Sequence, residues 1–218
     1  MSALYRYLLT SVLLSQRYLP PTLIFLAAMA VGTTSDSGPL QSSYAFCVLA
    51  MLVCTTWLAV SVVNHEDPTQ RKITVVTVGS SLRVLTATVA VVVTWCVPLL
   101  VIGLVYPIVT GKHTVTAADL AVGAAAQLGA AMTGIAIGLL CSRLVVARIG
   151  VAMLTAAAAI LAVLLVRWIS PIRPIMTVLS DEKPAGANAV PLTLLAVVSA
   201  ILLTAAVLAT KVLADRKE

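Results

Sequence analysis

The residues able to do chemistry are few, and most of them crowd into one stretch, 64–82, reading NHEDPTQRKITVVTVGSSL. It places His65, Glu66, Asp67, Arg71 and Lys72 side by side in an otherwise apolar chain. Asp67 suits a helix N-cap, Pro68 the first helical position and Gln70 the third position of a variant capping box. Gly79 suits a left-handed stop, and Ser80 or Ser81 a second cap. The spacing predicts a helix over 68–78 between two membrane spans. Such a helix is built for contact, and we expect it to lie in the cytoplasm and pass force to or from a second protein. An ordinary amphipathic loop between spans has the same local features.

Catalytic constellations are missing. A phosphate-cradling loop needs GxxxxGK followed by Ser or Thr. Here Gly111-Lys112 is followed by His113, and Tyr106 stands where the first Gly is required. Gly79-Ser80-Ser81 has no histidine on a span to activate it, and no span pairs Glu with His. Cys47, Cys54, Cys96 and Cys141 form no CxxC and lie in or beside apolar runs, as buried thiols do. With His65 and His113 in separate loops, no metal site is expected, and the chain is read as a non-enzyme. No Asp, Glu, Lys, Arg or His lies well inside any expected span, so the intramembrane charge used by ion-coupled carriers is missing. The polar groups left inside are hydroxyls and Gln127, which could line a pathway or bond a neighbouring helix.

Composition dictates the elements that carry these residues. Of 218 residues 61% are hydrophobic and 10% charged. A soluble domain is about a quarter charged, so this is read as an all-α integral membrane protein, a single domain over 1–218. The net charge of +6 reflects topology; with no basic-aromatic interleaving, no nucleic-acid partner is expected. Residues 3–17 read as an amphipathic helix, Leu4, Leu8, Val12 and Leu13 opposing Arg6, Thr10 and Arg17, with Arg6 and Arg17 at the headgroups. Tyr5, Tyr7 and Tyr18 fit interfacial depth. Pro20-Pro21 should break that helix from the first span; no small-residue cleavage site marks a signal peptide.

Six spans are expected, over 18–34, 44–63, 81–109, 120–141, 151–168 and 191–213, with Pro98 kinking or breaking the third. In the fourth, Gly134 and Gly138 allow close helix approach, within one bundle or between copies. The segment 167–190, with three prolines, excludes a plain span; 172–179 reads as a short re-entrant or interfacial helix. An even count puts both termini on one side. With that side inward, ten of the fourteen Lys and Arg residues are cytoplasmic, Arg143 and Arg148 among them. The segment 167–190 is then extracytoplasmic.

The ordered set resembles the ABC type-2 transporter permeases, membrane subunits of ATP-driven exporters. The resemblance rests on the N-terminal elbow helix, the NHEDPTQRKITVVTVGSSLRVL connection, the broken segment around PIRPIM, and six spans with both ends inside. It covers almost the whole chain. Family members often carry Glu-Arg-Glu and Gly-Thr where this chain has His65-Glu66-Asp67-Pro68-Thr69, so those side-chain contacts need not carry over. The resemblance implies a permease dimer, of identical or similar copies, on cytoplasmic ABC ATPase subunits that hold ATP and Mg. It also implies that Glu66, Asp67, Pro68, Gln70, Arg71 and Ile73 form the ATPase surface of a coupling helix. A secondary carrier, or a non-transporting scaffold or immunity protein, is the alternative. The cargo is not legible.

Overall fold

The computed structural model describes residues 2–33, 40–111, 115–145, 148–166, 170–180 and 185–215. The described residues are helical apart from short connections: α1 Ser2–Ser15, α2 Leu19–Thr33, α3 Leu40–Val63, α4 Pro68–Val78, α5 Ser81–Thr110, α6 Ala117–Leu140, α7 Ile149–Leu165, α8 Ile172–Ser180 and α9 Ala185–Asp215. Lys112, His113, Arg167, Trp168, Lys183, Arg216 and Lys217 lie outside the described residues, as does most of the loop 33–43.

Four stretches are long and apolar enough to cross a membrane, Leu40–Val63, Ser81–Thr110, Ala117–Leu140 and Gly186–Ala214; a fifth arises if α1 and α2 count as one bent span. Six were expected. At 15 and 17 residues, α2 and α7 reach roughly 22–26 Å, short of a hydrocarbon core of about 30 Å.

The break between α1 and α2 is not at the proline pair. Gln16 takes φ 55°, in the left-handed region, and the axes of the two helices turn by 70°. Pro20 and Pro21 instead fall in the first turn of α2, where their missing N–H groups cost nothing. The corner is fastened to α5: Tyr5 Oη lies 2.7 Å from Thr94 Oγ1, and the Tyr18 ring stacks on Trp95 at 4.1 Å. Both contacts fall near the middle of α5, and the start of α1, at Ser2 and Tyr5, shares a groove with Thr86, Ala87 and Ala90 in the first half of α5.

Three expectations at helix ends are corrected, and one of two alternatives within a helix is excluded. Asp67 has the extended backbone of an N-cap but makes no side-chain cap bond, so the capping box with Gln70 is not formed. Pro98 does not break α5, which runs unbroken through both Pro98 and Pro107. Pro191 lies inside α9 rather than opening it. α6 starts at Ala117, under a capping box in which Thr116 Oγ1 accepts from the Asp119 N–H and Asp119 Oδ2 accepts from the Thr116 N–H at 3.0 Å. Gly79, at φ 73°, stops α4 as expected by donating its N–H to Val75 O at 2.8 Å. Ser80 caps α5.

The core is the pair α3 and α6, 72% and 67% buried over their apolar windows against 17% for α9. A side chain at Gly138 would stand 2.8 Å from Thr56 O, and one at Gly134 2.9 Å from Leu52 O. The small-residue seam is thus filled by α3 of the same chain. α8 also belongs to this core, its Ile172, Ile175 and Leu179 fully buried. It climbs alongside α6 from Ser170, which shares a cavity wall with Thr133, past Gly129, which faces Ile175. It ends where Asn188 Nδ2 donates to Val178 O at 3.1 Å and Gln41 Oε1 at 3.0 Å. α7 runs beside the C-terminal half of α6, where Val163 shares a cavity wall with Ala136, Ile137 and Leu140. α7 and α8 therefore follow α6 in succession, interrupted near Thr133. Of the two readings of 172–179, re-entrant or interfacial, the packing of α8 among α3, α6 and α9 favours the first.

Candidate interaction site at the α3–α4 connection

The charged stretch sits where α3 ends and α4 begins. Asn64, buried, accepts the Arg143 N–H on Oδ1 at 2.8 Å, joining this connection to the turn between α6 and α7. His65 follows, its Nε2 2.7 Å from Ser11 Oγ of α1. Gln70, exposed on α4, donates to Tyr7 Oη of α1 at 2.6 Å. Three side chains within seven residues thus tie α3 and α4 to α1 and to the α6–α7 turn. Tyr7 and Ser11, together with Arg6, Thr10 and Leu14, line a surface groove on α1.

The electrostatics follow from partial burial. Burial pushes the Glu66 carboxyl above its usual range, opposed by Arg71, and Glu66 Oε1 is buried without a hydrogen bond among the described residues. Burial, helped by the nearby Arg17, holds His65 below its ordinary value; its Nδ1 has no partner there either. Both shifts disfavour charge. Asp67 and Lys72 are exposed, Arg71 half-buried.

α4 carries the outward surface. Ile73 is 64% and Val76 81% exposed. Three residues apart, they lie on one face of the helix. Two exposed branched side chains on the most polar of the described helices make a small exposed apolar face. Hydrogen bonding and apolar contact are what this arrangement can do; among the described residues no group of three or more His, Cys, Asp or Glu could hold a metal ion.

The expected site residues divide into groups. Glu66, Asp67, Pro68, Gln70, Arg71 and Ile73 share the α3–α4 corner, and Arg143 joins it through Asn64. Arg6 and Arg17 are exposed beside it on α1 and its following turn, and Arg148 is exposed at the N-cap of α7. Gly134, Gly138 and Gln127 lie apart, in the core. Gln127 is fully buried, both amide atoms without a hydrogen bond among the described residues, its carboxamide against Gly103 of α5. The contacts of Asn64, Tyr7 and Ser11 escape the sequence reading, which gives Tyr7 an interfacial depth only. An Asn ending an apolar run and polar residues on one face of 3–17 were the signals present, but their pairing is tertiary.

Comparison with models of protein families, with curated proteins and with solved structures finds no match.

Proposed function

We propose that this chain is the permease subunit of an ATP-driven transporter, an exporter, acting as a dimer on separate cytoplasmic ABC ATPase subunits. α1 is then the elbow helix, α4 the coupling helix, and both termini are cytoplasmic. α2 completes a span by leaning on the α1 corner, and α7 with α8 makes a broken fifth span, restoring six. ATP and Mg are held by the partner, whose closure would push on α4.

The observation that supports this reading best is α4 itself. It is short and polar, stopped by a left-handed glycine, braced on α1 through Gln70 and Tyr7, and exposes Ile73 and Val76. A plain loop needs neither the brace nor the exposed branched residues. The Asn64–Arg143 bond offers a route from α4 to α6 and α7.

The test is the native mass of the tagged chain, gently solubilised from its own host. Two copies of a 22.6 kDa chain with two copies of a soluble ATPase are expected, and Ile73→Glu should release the ATPase while the chain still inserts. A lone chain or dimer, even with an ATP analogue and cross-linker, overturns the reading in favour of a carrier or a non-transporting protein.

A further inference from the structure

α8 carries a cation to the middle of the helix bundle. Ile175 lies against Gly129, close to the midpoint of the 24-residue α6. Ser170 shares a cavity wall with Thr133, one turn further along α6. Arg173 falls between these two levels, roughly 18 Å from the N-terminus of α6 at 1.5 Å per residue. Half of a hydrocarbon core is about 15 Å. No ionisable residue falls inside an expected span, so only the packing of α8 reveals this one.

The cation does not point into the core. Ile172, Ile175 and Leu179 are buried, whereas Arg173, Thr177 and Ser180 are exposed. Spaced four and three residues apart, these three form one row along α8, opposite Ile175 and Leu179. Thr177 Oγ1 donates to Arg173 O at 2.9 Å and Ser180 Oγ to Met176 O at 2.8 Å, so both hydroxyls have oxygen lone pairs left for an outside donor. Arg173 has no carboxylate partner among the described residues. The Ser180 end of the row faces the N-terminal end of α6, where Asn188 bonds to Gln41.

Hydrocarbon is a poor cover for such a row. A guanidinium at mid-depth is costly in lipid, and long cations escape that cost by snorkelling only near span ends. A second copy brings no counter-charge to this depth, because none of the eight Asp and Glu residues stands in the middle of an apolar run. Water suits the hydroxyl oxygens, and the planar guanidinium fork suits two oxygens of a carboxylate or phosphate.

We propose that Arg173, Thr177 and Ser180 line a water-filled vestibule that opens at the N-terminal end of α6 and ends at Arg173, which holds an oxyanion there. This requires only that the helices lie in a bilayer and is independent of the transporter reading.

The test is thiol accessibility in phosphatidylcholine vesicles, whose headgroups carry no net charge. The full chain bears Cys141→Ser, which leaves its three buried cysteines, and either Thr177→Cys or Ser180→Cys. An anionic and a cationic methanethiosulfonate, both membrane-impermeant, are compared by rate. Both new thiols should react, with the anionic reagent favoured about tenfold over its ratio on a free thiol in solution. Arg173→Gln should abolish that preference and keep the access. Inorganic phosphate should slow the anionic reagent more than chloride does at equal ionic strength. Val197→Cys is the control. It is exposed on α9 beside Ala196, which meets Gly129, so it shares the depth of the row without the cation and should not react. Thiols at 177 and 180 as inert as that control overturn the vestibule. Spontaneous cross-linking of two copies through Thr177→Cys does so too, since a second chain then covers the row. An anion preference that survives Arg173→Gln, or phosphate protection no better than that of chloride, overturns the oxyanion site.

Discussion

Asn64 Oδ1 and the Arg143 N–H, 79 residues apart in sequence, are joined by a 2.8 Å hydrogen bond that closes the same end of α3 and α6. The contact holds two connections in register, and Asn64 is buried. Asn64→Ala leaves that N–H without its acceptor. The expected cost is about 1–3 kcal/mol, read as a lower denaturation midpoint in detergent. Asn64→Asp keeps an acceptor and should lose less; equal loss from both would mean the bond contributes nothing.

Gly138 faces Thr56 O, and Gly134 faces Leu52 O and the Thr55 side chain. Backbone cannot move aside as a flexible side chain can. Gly138→Ala should therefore destabilise by about 1–3 kcal/mol. A side chain at Gly150 would meet nothing within 4 Å, so Gly150→Ala is the matched control and should be tolerated. A thermal shift assay on the two variants decides it.

Gln127 offers a buried amide with no partner among the described residues. If its role were structural, Gln127→Leu would remove an unsatisfied group worth about 1–3 kcal/mol. Under the proposed function we expect that variant to be more stable than wild type and defective in transport, because a pathway would account for an amide retained at a stability cost. Unchanged transport in the stabilised variant would make the residue a packing element alone.

Glu66 and His65 respond to pH in opposite senses. The folded-state pKa of Glu66 is raised, so folding binds extra protons and stability falls as pH rises through that raised value. Glu66→Gln should stabilise the chain at pH 7 and lose its advantage toward pH 4. For His65 the folded pKa is lowered; stability is present above about 6.5 and falls as pH drops below it. His65→Gln should flatten that acid limb. Midpoints of thermal unfolding across pH 4–8 test both signs.

Ile73→Glu and Val76→Glu place charge on a surface that is already exposed, so neither should lower stability beyond about 0.5 kcal/mol. Both should reduce transport and ATPase co-purification sharply under the proposed function. Intact co-purification from both variants would remove α4 from the interface.

How much of this was legible follows the range of the interaction. Pro68, Gly79 and Ser80 act on their own neighbours, and α4 with the start of α5 emerged as read. Thr116 and Asp119 were just as local, a T-x-x-D spacing before an apolar run, yet the start of α6 was placed at Leu120. Pro191 is compatible with a helix start, so only the packed turns before it, anchored by Asn188, reveal that α9 begins at Ala185. The depth of the α7–α8 interruption, the Gln70–Tyr7 brace and the Gly103–Gln127 contact depend on distant residues and carry no periodic signal. The seam at Gly134 and Gly138 was visible as a spacing, but not which helix would fill it.

The back-bonded threonines of α3 bear on biogenesis. Thr55 Oγ1 donates to Met51 O at 2.7 Å and Thr56 Oγ1 to Leu52 O at 2.8 Å, so the face that will receive α6 carries no unpaired hydroxyl proton. During synthesis α3 enters the bilayer well before α6 is made, and it can wait among lipids without penalty or wrong partners. The seam then closes by shape, when Gly134 and Gly138 arrive. A variant that frees either hydroxyl would show its defect in insertion and quality control, before any loss of activity in the finished protein.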